Sequence, residues 1–343
     1  MSFRLILAST SLIALAACGE REPAAPVEAT QTITLTAEAI ERATPVAVAP
    51  TPTPAPTEGE AATPPAQPDP GLIRVQILLD RSTFSPGVID GLAGDNTRQA
   101  AAAFRSANGM TGDAVDADLL RKLAETDRSA AMTEYTLTEA DLAGPFSPPP
   151  GDLASQARNG VNYTSVRERI AERFHITEPL LQALNPDVDF RRAGVRIVVP
   201  AVSDNALPEV TRIVVDKTER SLRAFDASNR LVAFYPATIG STERPAPSGT
   251  LTVVGVAKEP DYTYDPDKLS YDRGPNKITV PAGPNNPVGS TWIALSRQSY
   301  GIHGTPDPSK VAKTASNGCI RLTNWDAQQL AAAVKPGVEV RFV

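Results

Sequence analysis

Tyr300-Gly301-Ile302-His303-Gly304-Thr305, followed by Ala315-Ser316-Asn317-Gly318-Cys319-Ile320-Arg321-Leu322, is the stretch from which the rest of this chain can be read. Cys319 stands sixteen residues after His303, and the chain holds only 2 cysteines and 2 histidines, so a reactive thiol and its base are nearly fixed by elimination. A thiolate is the nucleophilic form of cysteine, and an adjacent imidazole is the commonest way to obtain it near neutral pH. Sequence separation alone does not join the two, because such partners meet in space. The competing reading of Cys319 is a buried, inert thiol.

Outward from this stretch the pattern is strand-like. Residues 211–216, 221–226 and 231–239 are rich in β-branched and aromatic side chains and are separated by turn-like Lys217-Thr218-Glu219-Arg220 and Ala227-Ser228-Asn229-Arg230. That is the signature of a meander. Residues 251–256, 291–295 and 338–343 add further strands. One helix is expected after them, capped by Asn324, with Leu330 and Val334 facing the core and Pro336-Gly337 ending it. Residues 209–343 are therefore mainly β with a flanking helix.

Several motifs in order across this segment resemble the L,D-transpeptidase catalytic domain. They are Thr238-Ile239-Gly240 with Pro245-Ala246-Pro247-Ser248-Gly249-Thr250, then Ala282-Gly283-Pro284-Asn285-Asn286-Pro287-Val288-Gly289, His303-Gly304-Thr305, and Ser316-Asn317-Gly318-Cys319-Ile320-Arg321. One departure is Asn317, where many members of that family have His. The resemblance implies a β-sandwich that performs acyl transfer through a thioester. Cys319 would be the nucleophile, attacking the carbonyl before D-Ala in a peptidoglycan tetrapeptide stem, and His303 the proton acceptor. The backbone N–H groups of Gly318 and Cys319 would meet the oxyanion, worth about 3 kcal/mol per good donor. Ser316 and Asn317 would shape the loop. Arg321 would draw a substrate carboxylate or form a structural ion pair. Tyr300 and Gly304 would face substrate, and Trp292 would flank the groove or pack in the core. The acceptor would be the side-chain amine of a second stem, giving a link between two third-position residues. Water in its place makes an L,D-carboxypeptidase, and a protein amine uses the same thioester. A non-enzymatic tether between membrane and wall is the rival outside enzymology. No cofactor or metal is expected.

Upstream, residues 71–128 read as a small three-helix domain. Leu72, Val75, Leu78 and Leu79 fall at helical spacing, Asp95 and Asp116 begin later helices, and Pro86-Gly87-Val88-Ile89-Asp90-Gly91 is turn chemistry. This run resembles the peptidoglycan-binding domain, with Arg105 where Gln is usual; a plain helical spacer is the alternative. Residues 133–202 read as strand, two helices and strand, a small α+β unit that resembles a LysM glycan-binding module broken by a Gly- and Pro-rich insertion at 144–151. His175, between its helices, reads as a packing or surface residue.

Residues 21–70 are rich in Pro, Ala, Thr and Glu, so 18–70 is expected to be a disordered tether. Weak alternation between Thr30 and Ile40 hints at a strand. Residues 1–17 carry Arg4 and then an apolar stretch too short to span a bilayer, the shape of a secretory signal. It ends in Leu15-Ala16-Ala17-Cys18-Gly19, which resembles a bacterial lipobox; an ordinary signal cleaved nearby is the alternative. The resemblance implies lipidation of Cys18, leaving Cys319 without a disulfide partner, and a periplasmic protein anchored in the cell envelope. Gly19 after the lipidated cysteine favours the outer membrane. A net charge of −6 argues against nucleic acid or an anionic membrane surface as a partner.

Overall fold

Residue types that favour helix starts divide the first half of the chain. The computed structural model describes residues 35–46, 67–148, 150–203, 205–268 and 274–343. The expected signal peptide, Cys18 and most of the tether lie outside the described residues. Residues 35–46 correct the tether reading: Thr36 caps helix α1 (Ala37–Arg42), whose Ile40 is fully buried. Of the stretch 30–40 that hinted at a strand, residues 37–40 are helix and 30–34 lie outside the described residues.

That core begins with α2 (Pro70–Arg81), capped by Asp69 with proline in the first turn. Helices α3 (Asp95–Ala107) and α4 (Ala117–Thr126) complete the three-helix unit around Leu79, Phe104, Leu119 and Leu123. Asp116 caps α4 as expected, whereas Gly94 rather than Asp95 is the N-cap of α3. Arg105 is buried and donates to Ala114 O, Thr111 O and Asp116 Oδ1, at 3.0, 3.2 and 2.6 Å. It therefore pins the α3–α4 connection.

The next unit has β1 (Met132–Thr136), the short helices α5 (Glu139–Leu142) and α6 (Leu153–Asn159), then α7 (Val166–Arg173), α8 (Glu178–Leu184) and β2 (Arg196–Pro200). β1 and β2 pair antiparallel from Met132↔Pro200 to Thr136↔Arg196. Ile170, Leu181, Ile197 and Val199 share a core with Ile40, Ile73 and Ile77, so α1 and one face of α2 close this unit. The insertion and the α6 segment after it keep contact with α7 through Phe146 and Tyr163, which lie under Arg169, but the α6 segment also reaches out of the unit. Its Leu153 and Val161 pack on Tyr264 and Val280 of the C-terminal domain.

There the strands are β3 (Arg212–Asp216), β4 (Ser221–Phe225), β5 (Leu231–Pro236), β6 (Thr238–Ile239), β7 (Gly249–Lys258), β8 (Tyr262–Tyr264), β9 (Ile278–Val280), β10 (Thr291–Leu295), β11 (Gly301–His303), β12 (Ile320–Arg321) and β13 (Glu339–Phe342), with helix α9 (Asn324–Ala333) before the last. The sheet order is β5-β4-β3-β13-β7-β10-β11-β12-β6, and β8-β9 is a separate hairpin. Ten-residue β7 joins the halves: residues 249–252 pair with β13 and 253–258 with β10. Ile213, Val215, Leu222 and Tyr235 from one half share a core with Val253, Ile293, Ile302 and Ile320 from the other, and α9 adds Ala327 and Leu330. This is the mainly β domain with a flanking helix that the pattern indicated. The three-helix unit docks on its edge, where Ser85 N–H donates to Phe234 O (2.9 Å) and Phe234 N–H to Thr83 O (3.0 Å). Residues 35–343 form one compact unit.

Candidate active site

Strand register brings the thiol and the imidazole together. β11 and β12 run parallel with Ile302 opposite Ile320 and His303 opposite Arg321. Both isoleucines are fully buried in the core. Side chains alternate along a strand, so Cys319, Arg321 and His303 all turn to the opposite face. They line a cavity of about 720 Å³ with Trp292, Tyr300, Asn317 and Tyr262. Lys268 and Arg297 add positive charge to its wall.

His303 is 4 % exposed. Its Nδ1 lies 2.7 Å from Gly304 O. A carbonyl can only accept, so Nδ1 carries the proton and Nε2 the lone pair. Burial, then the Arg321 charge, pushes the imidazole down to about 3, against the pull of the Gly304 and Val288 carbonyls. Trp292 stacks on the ring at 5.5 Å between centroids. Of the two roles open to Trp292, the structure gives it the cavity wall. It also explains Gly301: a Cβ there would sit 2.5 Å from the indole.

Cys319 is partly exposed, and its Sγ donates to Ser299 O at 3.5 Å. Burial pushes the thiol up, while the Gly301 N–H and Arg321 pull the other way. Thiol and imidazole thus share a face without a hydrogen bond between them. The preceding loop is held by Ser316, whose Oγ accepts from Gly240 N–H (2.7 Å) and donates to Cys319 O (2.6 Å). Asn317 Oδ1 accepts from Arg244 at 2.6 Å. Gly318 has φ +104, and a Cβ there would meet the Tyr300 ring at 3.0 Å. Its N–H donates to Ser316 Oγ at 3.3 Å. An oxyanion role for Gly318 would draw on a donor that rests on Ser316 Oγ.

Residues the pattern did not single out also build the site. Asn324 was expected as the α9 cap, but Thr323 is the cap, accepting from Asp326 N–H at 3.2 Å. Asn324 is 1 % exposed and instead accepts from Ser290 N–H (3.1 Å) and donates to Glu172 (3.0 Å). His175, the second histidine, is buried far from the thiol in sequence and fold, 3.1 Å from Asp80 and stacked on Trp325 at 4.6 Å. It is a joint between units. Among the described residues no group of three or more His, Cys, Asp or Glu is placed to hold a metal, and no helix is long and apolar enough to cross a membrane.

Residues 210–341 match the family model of the L,D-transpeptidase catalytic domain. A Bacillus licheniformis protein named as the L,D-transpeptidase YkuD is 34 % identical over 176 residues, 50 % of this chain and 90 % of its own length. An Escherichia coli protein named as the L,D-transpeptidase ErfK/SrfK is 32 % identical over 163 residues, 46 % of this chain and 52 % of its own. Among solved structures, L,D-transpeptidase 3 from Mycobacterium tuberculosis aligns with 44 % of this chain and 75 % of its own at 16 % identity and a TM-score of 0.33.

Proposed function

The chain belongs to the L,D-transpeptidase family and is a cysteine-dependent acyltransferase acting on peptidoglycan, and from that premise we propose that it links the third-position residues of two stem peptides through a thioester on Cys319. The observation that carries the assignment of residues is the β11–β12 register, with Cys319, His303 and Arg321 on one face of one cavity. Sγ attacks the carbonyl before the terminal D-Ala, and its proton passes to Nε2 of His303. The C–N bond then breaks, and the leaving amine takes that proton. The acceptor amine next attacks the thioester, its proton passing by way of His303 Nε2 to the released sulfur as the new amide forms. The Cys319 N–H meets the oxyanion, and Arg321, Arg297 and Lys268 suit a donor stem that carries carboxylates. Tyr300 and Gly304 border the bound stem.

The flanking units extend this reading. We assign glycan binding to the peptidoglycan-binding-like residues 71–128 and to the LysM-like residues 133–202, and lipidation to Cys18. The protein would then stand in the periplasm, tied to the outer membrane. The test is to incubate residues 35–343 with disaccharide-tetrapeptide and read the products by mass, beside Cys319→Ala. A cross-linked dimer that has lost one D-Ala, absent with the variant, is the expected result. Tripeptide alone would show hydrolysis, and no Cys319-dependent product would leave a tether.

A further inference from the structure

We propose that Glu172, on α7 outside the catalytic domain, is a positioning residue for His303 that acts through the side chain of Asn324; this rests on the reading of Cys319 and His303 given above. The imidazole is oriented by the Gly304 carbonyl, 2.7 Å from Nδ1, and Val288 lines the same cavity wall beside it. Gly304 and Gly289, the neighbour of Val288, both abut one atom: a Cβ on either would lie 2.1 Å from Asn324 Oδ1. That oxygen also accepts from Ser290 N–H at 3.1 Å. One amide oxygen therefore wedges between the segment whose carbonyl sets the histidine and the neighbouring 288–290 segment of the cavity wall.

An amide can turn over at almost no steric cost, exchanging O for N. Turned over, Asn324 would point a donor at the Ser290 N–H and at two glycine Cα atoms. Besides the Ser290 N–H, what opposes this is the Glu172 carboxylate, an acceptor 3.0 Å from Nδ2. Asn324 is 1 % exposed, and although it and Glu172 border a cavity of about 470 Å³, the carboxylate is the acceptor that holds its Nδ2. Burial pushes Glu172 up to about 7, but either protonation state leaves an oxygen to accept from Asn324. The strand–helix–helix–strand unit thereby reaches the catalytic base through two side chains, Glu172 and Asn324, 152 residues apart in sequence.

The experiment uses the full chain with Glu172→Ala, Glu172→Gln and the exchanged pair Glu172→Gln with Asn324→Asp, measuring kcat, KM for disaccharide-tetrapeptide and the 15N signals of the histidine rings. Glu172→Ala is expected to lower kcat by about tenfold or more, the scale set by misplacing a catalytic group, with KM little changed and the His303 ring signal displaced. Glu172→Gln keeps an acceptor and recovers most of the rate. The exchanged pair, in which Gln donates to Asp, recovers more than Asn324→Asp alone. Unchanged kcat and His303 signal in Glu172→Ala, or equal damage from Ala and Gln in folded chains, would overturn the proposal. A wild-type chain without Cys319-dependent product would overturn the functional reading instead, and the ring signals would still report on the positioning.

Discussion

The sulfur of Cys319 is surrounded by groups that keep it a thiol at rest. Burial raises it above its ordinary value of 9.0, and burial holds His303 neutral down to about 3. The resting pair is thus uncharged on both sides, and the proton moves during attack rather than before it. A thiol with a raised pKa gains thiolate about tenfold per pH unit below that pKa. Alkylation of Cys319 by iodoacetamide should therefore keep accelerating from pH 6 through pH 9. A flat rate between pH 5 and 8 would reveal a preformed thiolate–imidazolium pair. At this scale Cys319 and His303 were legible from the residues, because so few alternatives existed and their neighbours formed ordered motifs. Asn324 was not, because its role is set by Gly289, Gly304 and Glu172, which only folding brings to it.

Elements show the same division. The long strands of the meander could be read because four to eight residues are enough for an alternating pattern to register. β11 and β12, which carry the site, have 3 and 2 residues and no pattern of their own. They exist because Ile302 and Ile320 enter the core side by side. Thr323 and Asn324 are both good caps, and the choice between them falls to tertiary structure, which needs the Asn amide elsewhere. Thr323→Ala should accordingly cost about 1 kcal/mol in urea unfolding, the usual worth of such a cap. The same change should leave the Ser290–Asn324 contact in place, which a backbone amide shift at Ser290 would check. The composition of 35–46 resembles that of the residues around it, while its buried Ile40 finds partners far along the chain.

At the scale of the whole molecule, acidic side chains are buried where the units meet. Asp326 of α9 receives a bond from Ser85 Oγ at 3.0 Å and lies near Asp80 and His175; burial pushes it up to about 7, as it does Glu172. Carboxyls raised from an unfolded value of about 4 favour the folded state fully below that value, and lose the advantage as pH rises through about 7. The melting temperature should fall as pH rises from about 4 to about 7 and level off above that, and Asp326→Asn should flatten that fall. An unchanged slope in the variant would remove Asp326 from the account. Three cores and their joints give the catalytic face a rigid base, and the insertion that breaks the second unit braces it further. Val161 O accepts from Asn285 N–H at 2.9 Å, next to the Pro287–Val288 wall of the cavity.

The most direct measurement is the intact mass of residues 35–343, quenched in acid seconds after mixing with disaccharide-tetrapeptide. A thioester predicts a mass gain equal to the donor less D-Ala, mapping to the peptide that contains Cys319 and absent from Cys319→Ala. Product formed without such an adduct, or an adduct on any other residue, would contradict the account.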